Sequence, residues 1–559
     1  MTGTLDLDLV DWFLLAVYFA AIIAIGVYTK RAVTTSGDFF LAGRSMPAWI
    51  TGLAFISANL GALEIIGGAA NGAQYGAAAV HFYWLGAIPA MVFLGVVMMP
   101  FYYSSRVHSV SEYLRRRFNS QTHLLNSVVF AVAQVMLAGV NLFALALIIK
   151  LLIGWPLWLS IVLSAVFVLV YITLGGLAGA IYGEVLQFFV ILAGLVPIVW
   201  IALHMVGGFD GLRDGIAGID DNLLKTWQGT EVGGWSNPLG DWIGLAMGEG
   251  FVLAFGYWTT NFAEVQRSLA AKDLNAARRT PIIAAFPKML LPLVTVVPGM
   301  AALLLIPQLG QDGGPTYNDV IPELMQRYLP NGVLGIALTG LLAAFMAGMA
   351  ANISGFNTVF TYDIWRPYVV KGRSDRYYLN AGRVATVAAI ALSVGTAFIA
   401  SNYSNIQNYL QMLFSFFNSP LFATFLLAMF WRRVTPWAGF WGMLSGTAAA
   451  AAAHFTAGHL AFFYPGGDMS AEMNAQMANF YGAGFAFVVD VIVTVAVTLF
   501  TRPKPESELR GLVWGLPDPD SPDAHEAGRR QPWWRSPVVL GSVVLVCTLA
   551  LSVWLVTAV

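Results

Sequence analysis

The stretch "NLGALEIIGGAANGAQYG", Asn59 to Gly76, decides how this chain is read. It lies inside a long apolar region, yet it holds five glycines and one acid, Glu64. Glycine weakens a helix, and a carboxylate in hydrocarbon is costly, so the two together mark backbone that is not in contact with lipid. Irregular backbone at membrane depth is tolerated where protein or a water-filled cavity surrounds it. Glu64 is therefore expected to face a wet central cavity.

The surroundings support this. Of 559 residues, 58% are hydrophobic and only 11% are charged, well below the roughly 25% charged residues of soluble domains. The composition is that of an all-α polytopic membrane protein. The one cysteine, Cys547, excludes an intrachain disulfide and a Cys-based metal cluster. A net charge of −1 argues against a nucleic-acid partner. No signal peptide is expected, because "LDLDLVD" precedes the first apolar run where a basic segment would stand.

Runs of about 20 apolar residues, the length of a membrane span, occur at 9–28, 46–72, 77–100, 124–152, 157–177, 180–206, 242–264, 281–307, 332–363, 380–400, 405–431, 435–456, 479–501 and 536–557. Basic residues orient these fourteen ranges. With the N-terminus outside, 24 of the 29 Lys and Arg residues fall in inside loops. Lys150, Arg213, Lys225 and Arg327 fall outside, and Lys288 lies within a span. Both termini are thus expected outside a cell (plasma) membrane. The connections 207–241 and 502–535 read as solvated loops.

A second glycine-rich segment with an acid, "GLAMGEGFVLAFGYW" (Gly244–Trp258, with Glu249), opens the seventh span, five helices after the first. In many secondary transporters two five-helix inverted repeats each begin with a helix broken at the midplane, where freed backbone meets solute and ion. Close helix packing at small-xxx-small spacing is the plainer explanation of such glycines, and their matched positions favour the transporter. The other ionisable residues within spans are Glu184, Lys288, Asp490, His81 and His204. Asp490 and His81 have no companion motif and read as structural, and His204 reads as interfacial. No HExxH, GxxxxGK[ST] or paired Asp-rich motif is present in the sequence, which places an enzyme behind a transporter.

Several segments resemble the sodium/solute symporter family, and within it the sodium/glucose cotransporter branch. "SANLGALEIIGGAANGAQYG" is similar to the family's first core helix. "GYWTTNFAEVQRSLAAKDLNAAR" is similar to its sixth, "TVFTYDIWRPY" to the end of the eighth, and "NYLQMLFSFFNSPLFATFLLAMFWRRVTPWAGFWG" to the tenth. "LRGLVWGLP" resembles the segment before the last span of the sugar branch. The resemblance implies a LeuT-type 5+5 inverted repeat over 46–206 and 242–431. One flanking helix precedes it (1–45), two follow (432–501), and a cytoplasmic loop (502–535) leads to a last helix (536–559).

It also implies a solute site. Asn59 matches an Asn that hydrogen-bonds sugar, Tyr257 an inner-gate tyrosine, Lys288 a lysine that reaches sugar hydroxyls, and Gln411 the site glutamine of core helix ten. The sugar branch carries a glutamate in an "[FY]EW" pattern where this chain has "FYW", with Tyr83 in place of the acid. The Glu64 position is usually Gln or His in that branch. An acid has moved from one wall to another.

For sodium, the resemblance implies carbonyl ligands at Ser57 and Leu60 and helix-eight positions at Ala344, Ala347 and Gly348. The family's two adjacent hydroxyls are missing there, and a hard cation needs oxygen ligands. Glu184 in "YGEVLQ" matches the acid below that site. The expected function is alternating-access transport of a sugar or similar small polar organic solute, with sodium coupling weakened. The alternatives are a proton-coupled or uncoupled carrier of another small solute, or a non-transporting solute sensor of the same fold. No cofactor is expected, and sodium or a proton would be the coupling ion.

Overall fold

The computed structural model describes residues 7–30, 42–61, 63–227, 243–456, 471–518 and 532–558. The described part is helical, and its one β-type pairing is a bridge between Met46 and Ala271. The helices of the bundle are α1 (Leu9–Lys30), α2 (Ala48–Asn59), α3 (Gly68–Tyr75), α4 (Phe82–Ser104), α5 (Ser120–Ile153) and α6 (Leu157–Met205), with shorter helices such as Val110–Arg117 and Gly208–Asp220 in the connections. They continue with α7 (244–260), α8 (Phe262–Leu269), α9 (Leu274–Leu305), α10 (Val333–Val359), α11 (Asp375–Ala400) and α12 (Ile406–Phe430). Helices α13 (Pro436–Thr456), α14 (Ala471–Phe500) and α15 (Pro537–Ala558) complete the order.

Ten helical stretches among the described residues are long and apolar enough to cross a membrane, and a bent pair, Ala48–Asn59 with Glu64–Val80, makes an eleventh. The chain is thus an integral, multi-pass membrane protein. The three remaining expected ranges are helical as well. They correspond to the N-terminal part of α6, to α7 and to α13, which are shorter or less apolar. The count of fourteen spans is therefore not reached by length and composition.

The first break lies where the glycine-rich stretch places it. Helix α2 ends as Leu60 leaves helical geometry (φ −72°, ψ 44°), and the chain bends by 62° before Leu63–Gly67 resumes as a π turn. Glycine at 72 lets α3 meet α9: a Cβ there would come within 2.3 Å of the Val296 carbonyl oxygen.

The second expected break is displaced. The Gly244–Trp258 segment is continuously helical, wound as a π helix over Gly244–Leu253 and as an α helix over Ala254–Thr260. Its glycines provide close packing instead. A Cβ at Gly248 would lie 2.6 Å from the Phe480 carbonyl oxygen, and one at Gly256 would lie 2.7 Å from that of Asn418. The chain breaks at Asn261 (φ −70°, ψ 109°), whose side chain caps α8 at the Ala263 amide and accepts from Gln134 Nε2.

Polar groups at the helix ends are tied across the bundle. Asp11 of α1 accepts from the Gly332 and Gly335 amides at the start of α10. Arg117 is buried and donates to the carbonyls of Ala428, Trp431 and Val434 at the exit of α12. Such capping satisfies carbonyls that a helix end leaves without partners.

Neither long connection is simply a solvated loop. Gly208–Asp220 is a helix that buries Leu212 and Ile216, and the Thr226 carbonyl accepts from His81 Nε2 at 2.9 Å, which fixes that ring nitrogen as the donor. On the other connection Leu509, Leu512 and Val513 are buried, and the Trp514 amide donates to Met429. Apolar residues spaced within these segments draw them onto the bundle. The acids Glu231 and Asp241, and the basic residues Arg31, Arg529 and Arg530, lie outside the described residues.

Candidate functional site

The two backbone breaks converge with α9 and α12 around one cluster. Lys288 follows Pro287 on α9, which also contains Pro281 and Pro292. Its side chain is 1% exposed, so its charge needs partners inside the protein. It has them: Nζ lies 2.5 Å from Glu64 Oε1 and donates to Asn59 Oδ1 at 2.6 Å. The ammonium also lies over the rings of Tyr83 (5.1 Å) and Trp258 (4.9 Å), where the aromatic faces attract it.

From Asn59 the network continues. Asn59 Nδ2 donates to the Tyr257 hydroxyl at 3.1 Å, and that hydroxyl donates to Glu264 Oε1 at 2.8 Å. Tyr83 reaches Thr295 Oγ1 at 2.9 Å and donates to the Glu64 backbone carbonyl at 3.4 Å. Trp258 stacks on Phe55, and Tyr257 packs against Phe414 at 4.6 Å between ring centres.

This cluster walls a cavity of about 50 Å³. Glu64, Tyr83, Tyr257, Trp258, Glu249, Gln407, Gln411 and Phe414 are among the residues that line it. The space admits a few waters, whereas pockets that hold organic ligands run to roughly 300–1,000 Å³. A space of this size must widen to take a solute. Above it, Asn405 Nδ2 donates to Gln74 and Asn71, and Tyr75 donates to Asn408.

The structure thus brings Asn59, Glu64, Tyr83, Tyr257 and Lys288 into one bonded network, with Gln411 across the same cavity. Glu64 has a committed partner in Lys288. Glu184 belongs to a different pair: its carboxylate is held by the Arg267 guanidinium, and both side chains are fully buried. His81 is used by Thr226 and packs on Trp227. Asp490 accepts from Thr424 and Thr494. Both are accounted for structurally, while His204 is exposed and stacks on Trp200.

At the expected sodium position, Ser57 Oγ is buried without a hydrogen-bond partner, and Leu60 donates its amide to the Ser57 carbonyl. Ala344, Ala347 and Gly348 contribute no side-chain oxygen. In their place the Asn141 carboxamide of α5 stands between the break and α10. Its Oδ1 lies 2.5 Å from where a Cβ on Gly61 would be and 2.6 Å from one on Gly348. Asn141, Glu264 and Thr295 are residues that the sequence reading passed over. Glu264 sits in the quoted "NFAEVQR" segment, where an acid beside a buried arginine was the available signal.

A family model described as "Sodium:solute symporter family" matches residues 39–446. Among curated proteins, the chain is 29% identical to sodium/glucose cotransporter 1 of Sus scrofa over 90% of this chain and 81% of that one. It is 30% identical to sodium/glucose cotransporter 4 of Homo sapiens, over 90% and 78% of the two chains. The sodium/glucose cotransporter of Vibrio parahaemolyticus is 28% identical over 77% of this chain and 82% of its own. Among solved structures, a Na+-coupled sialic acid symporter in a substrate-bound outward-open state superposes with a TM-score of 0.74. It is 20% identical and covers 89% of this chain and 99% of that one, a likeness of fold.

Proposed function

We propose that this chain, which belongs to the sodium:solute symporter family, carries a sugar or a similar small polyhydroxy solute across the membrane by alternating access. Membership makes it a secondary transporter rather than an enzyme. The observation that carries the reading is the Asn59–Lys288–Glu64 junction at the broken helix, joined through Tyr257 and set against a small cavity with polar groups in its wall. Amide, ammonium and carboxylate groups match hydroxyls, and aromatic rings match the apolar face of a sugar ring. The named activity of the sodium/glucose relatives supports the same class of solute.

On this reading 46–206 and 242–431 are the two inverted repeats within fourteen spans. Both termini face outward from the plasma membrane. Asn59, Glu64, Tyr83, Lys288 and Gln411 bind the solute, and Tyr257 closes the site towards the inside by holding Asn59 and Glu264 together. Glu64, as the partner of Lys288, serves recognition.

Sodium couples weakly here. Ser57 and the carbonyls of the break remain as oxygen donors, but Ala344, Ala347 and Gly348 add none, and a hard cation is poorly served by so few. The test is uptake of radiolabelled glucose into proteoliposomes, with sodium and proton gradients imposed separately. Saturable, glucose-competed uptake with a shallow sodium response is the expected result. Absence of binding and exchange for glucose and other polyhydroxy solutes overturns the solute assignment. A steep, saturable sodium dependence at fixed pH and voltage overturns the weak-coupling assignment.

A further inference from the structure

We propose that Glu249, which lines the cavity together with Glu64, is the proton-carrying group of this transporter. The proposal rests on the transport reading above and assigns its coupling ion. Glu249 lies on the π-wound part of α7, lines the cavity and is 4% exposed. Its Oε2 is buried without a hydrogen-bond partner. Its Oε1 lies over Gly86, 3.3 Å from where a Cβ on that residue would be, so the missing side chain makes room for the carboxyl. Gln411, whose side chain hydrogen-bonds the Glu249 carboxyl, also has its Oε1 buried without a partner.

Charge balance separates this acid from Glu64. Lys288 answers Glu64 at 2.5 Å, whereas no Lys, Arg or His forms an ion pair with Glu249 among the described residues. The groups facing it from neighbouring elements do not supply one. Glu64 is another acid, already paired. Tyr83 is engaged with Thr295, and Tyr257 with Glu264. On the more distant parts of the packed helices, His81 is held by Thr226, Asp490 by Thr424 and Thr494, and Tyr481 is uncharged. A buried carboxylate with no cation beside it is expensive, and a proton removes the cost by converting it to a neutral acid that can donate to an acceptor.

A metal cation fits less well. No three His, Cys, Asp or Glu side chains gather into a metal-binding group among the described residues. A proton needs one oxygen, and Oε2 is available. The step is a simple protonation balanced by release: Glu249 takes H+ when the cavity opens to the proton-rich side and releases it, with the solute, on the other.

Two measurements on the full-length protein test this. In detergent, the infrared carbonyl band of a protonated buried carboxylic acid is followed with pH in wild type and Glu249→Gln. A pH-dependent band that is lost on substitution is expected, and an unchanged band overturns the assignment without reference to any solute. In proteoliposomes, glucose accumulation under an imposed inward proton gradient is compared with glucose exchange at equilibrium. Glu249→Gln should retain exchange within about twofold and lose at least tenfold of the proton-driven accumulation. Exchange with equal proton-driven accumulation in both proteins overturns the proton role. Lack of glucose exchange in the wild type would instead count against the solute reading, and the infrared band still decides whether Glu249 holds the proton.

Discussion

Lys288 and Glu64, 224 positions apart in the chain, meet at 2.5 Å beside the break that separates α2 from α3. The pair joins α9 to the broken helix at the point where the cavity begins. Breaking a buried pair by removing one member leaves the other charge uncompensated, at a cost of about 3–5 kcal/mol. Lys288→Met should therefore lower the thermal unfolding midpoint in detergent well beyond Glu64→Gln/Lys288→Met, in which neither charge remains. Solute affinity should be lost in both. Equal stability of the single and double variants would show that the Glu64 carboxylate does not depend on Lys288.

Tyr257 is tied to both breaks: it accepts from Asn59 beside the first and donates to Glu264 just after the second. Tyr257→Phe keeps the ring against Phe414 and removes the hydroxyl. A hydrogen bond to a charged group contributes about 1.5–3 kcal/mol. If closure depends on that hydroxyl, transport should fall by roughly 10- to 100-fold, while the unfolding midpoint shifts little. Equilibrium binding and net uptake, measured side by side, check this: binding weakened less than uptake is the expected pattern of a closing group.

Much of this was readable from residue order, for identifiable reasons. Long apolar runs declare themselves by length, and the Asn59–Gly76 stretch announces a break because glycine and an acid are costly together in a span. Lys288 drew notice because a lysine within a span needs a partner. The second break was misplaced because glycine permits two outcomes, an interruption or a close approach of helices. The backbone of Phe480 and Asn418, distant in sequence, selects the latter. Asn141 and Thr295 left no signal: a single polar residue on an apolar helix acquires meaning only from what it is packed against. The packed portions of the two long connections were hidden by their charge, which outweighed a few buried leucines.

Arg117 offers a test of how the exit of α12 is held in the bundle. Its guanidinium satisfies three carbonyls at the end of α12, and it is fully buried. Leaving buried carbonyls without donors costs about 1–3 kcal/mol each, so Arg117→Ala should destabilise by about 3 kcal/mol or more. Arg117→Lys keeps a charge but cannot reproduce the fork, and should fall between. Detergent unfolding midpoints read both effects. Solute affinity of the folded fraction should stay near wild type, since Arg117 does not line the cavity.

The sodium position supplies the last prediction. Adding hydroxyls at Ala347 and Gly348 would restore the donors that a hard cation needs. Gly348→Ser alone cannot do so freely, because its Cβ would lie 2.6 Å from Asn141 Oδ1, closer than packed atoms approach. The carboxamide must yield before a serine fits, and it stands equally close to the space above Gly61. Ala347→Ser/Gly348→Ser should therefore express poorly or show little gain. Adding Asn141→Ala should relieve the collision and open room beside Ser57, whose Oγ already lacks a partner. The triple variant is expected to gain a saturable sodium dependence of uptake, at least several-fold over wild type at fixed pH and voltage. If the pair of serines gains the same dependence with Asn141 retained, the carboxamide does not control the site. If the triple variant folds, exchanges solute and ignores sodium, the backbone at the break is not arranged to hold the ion.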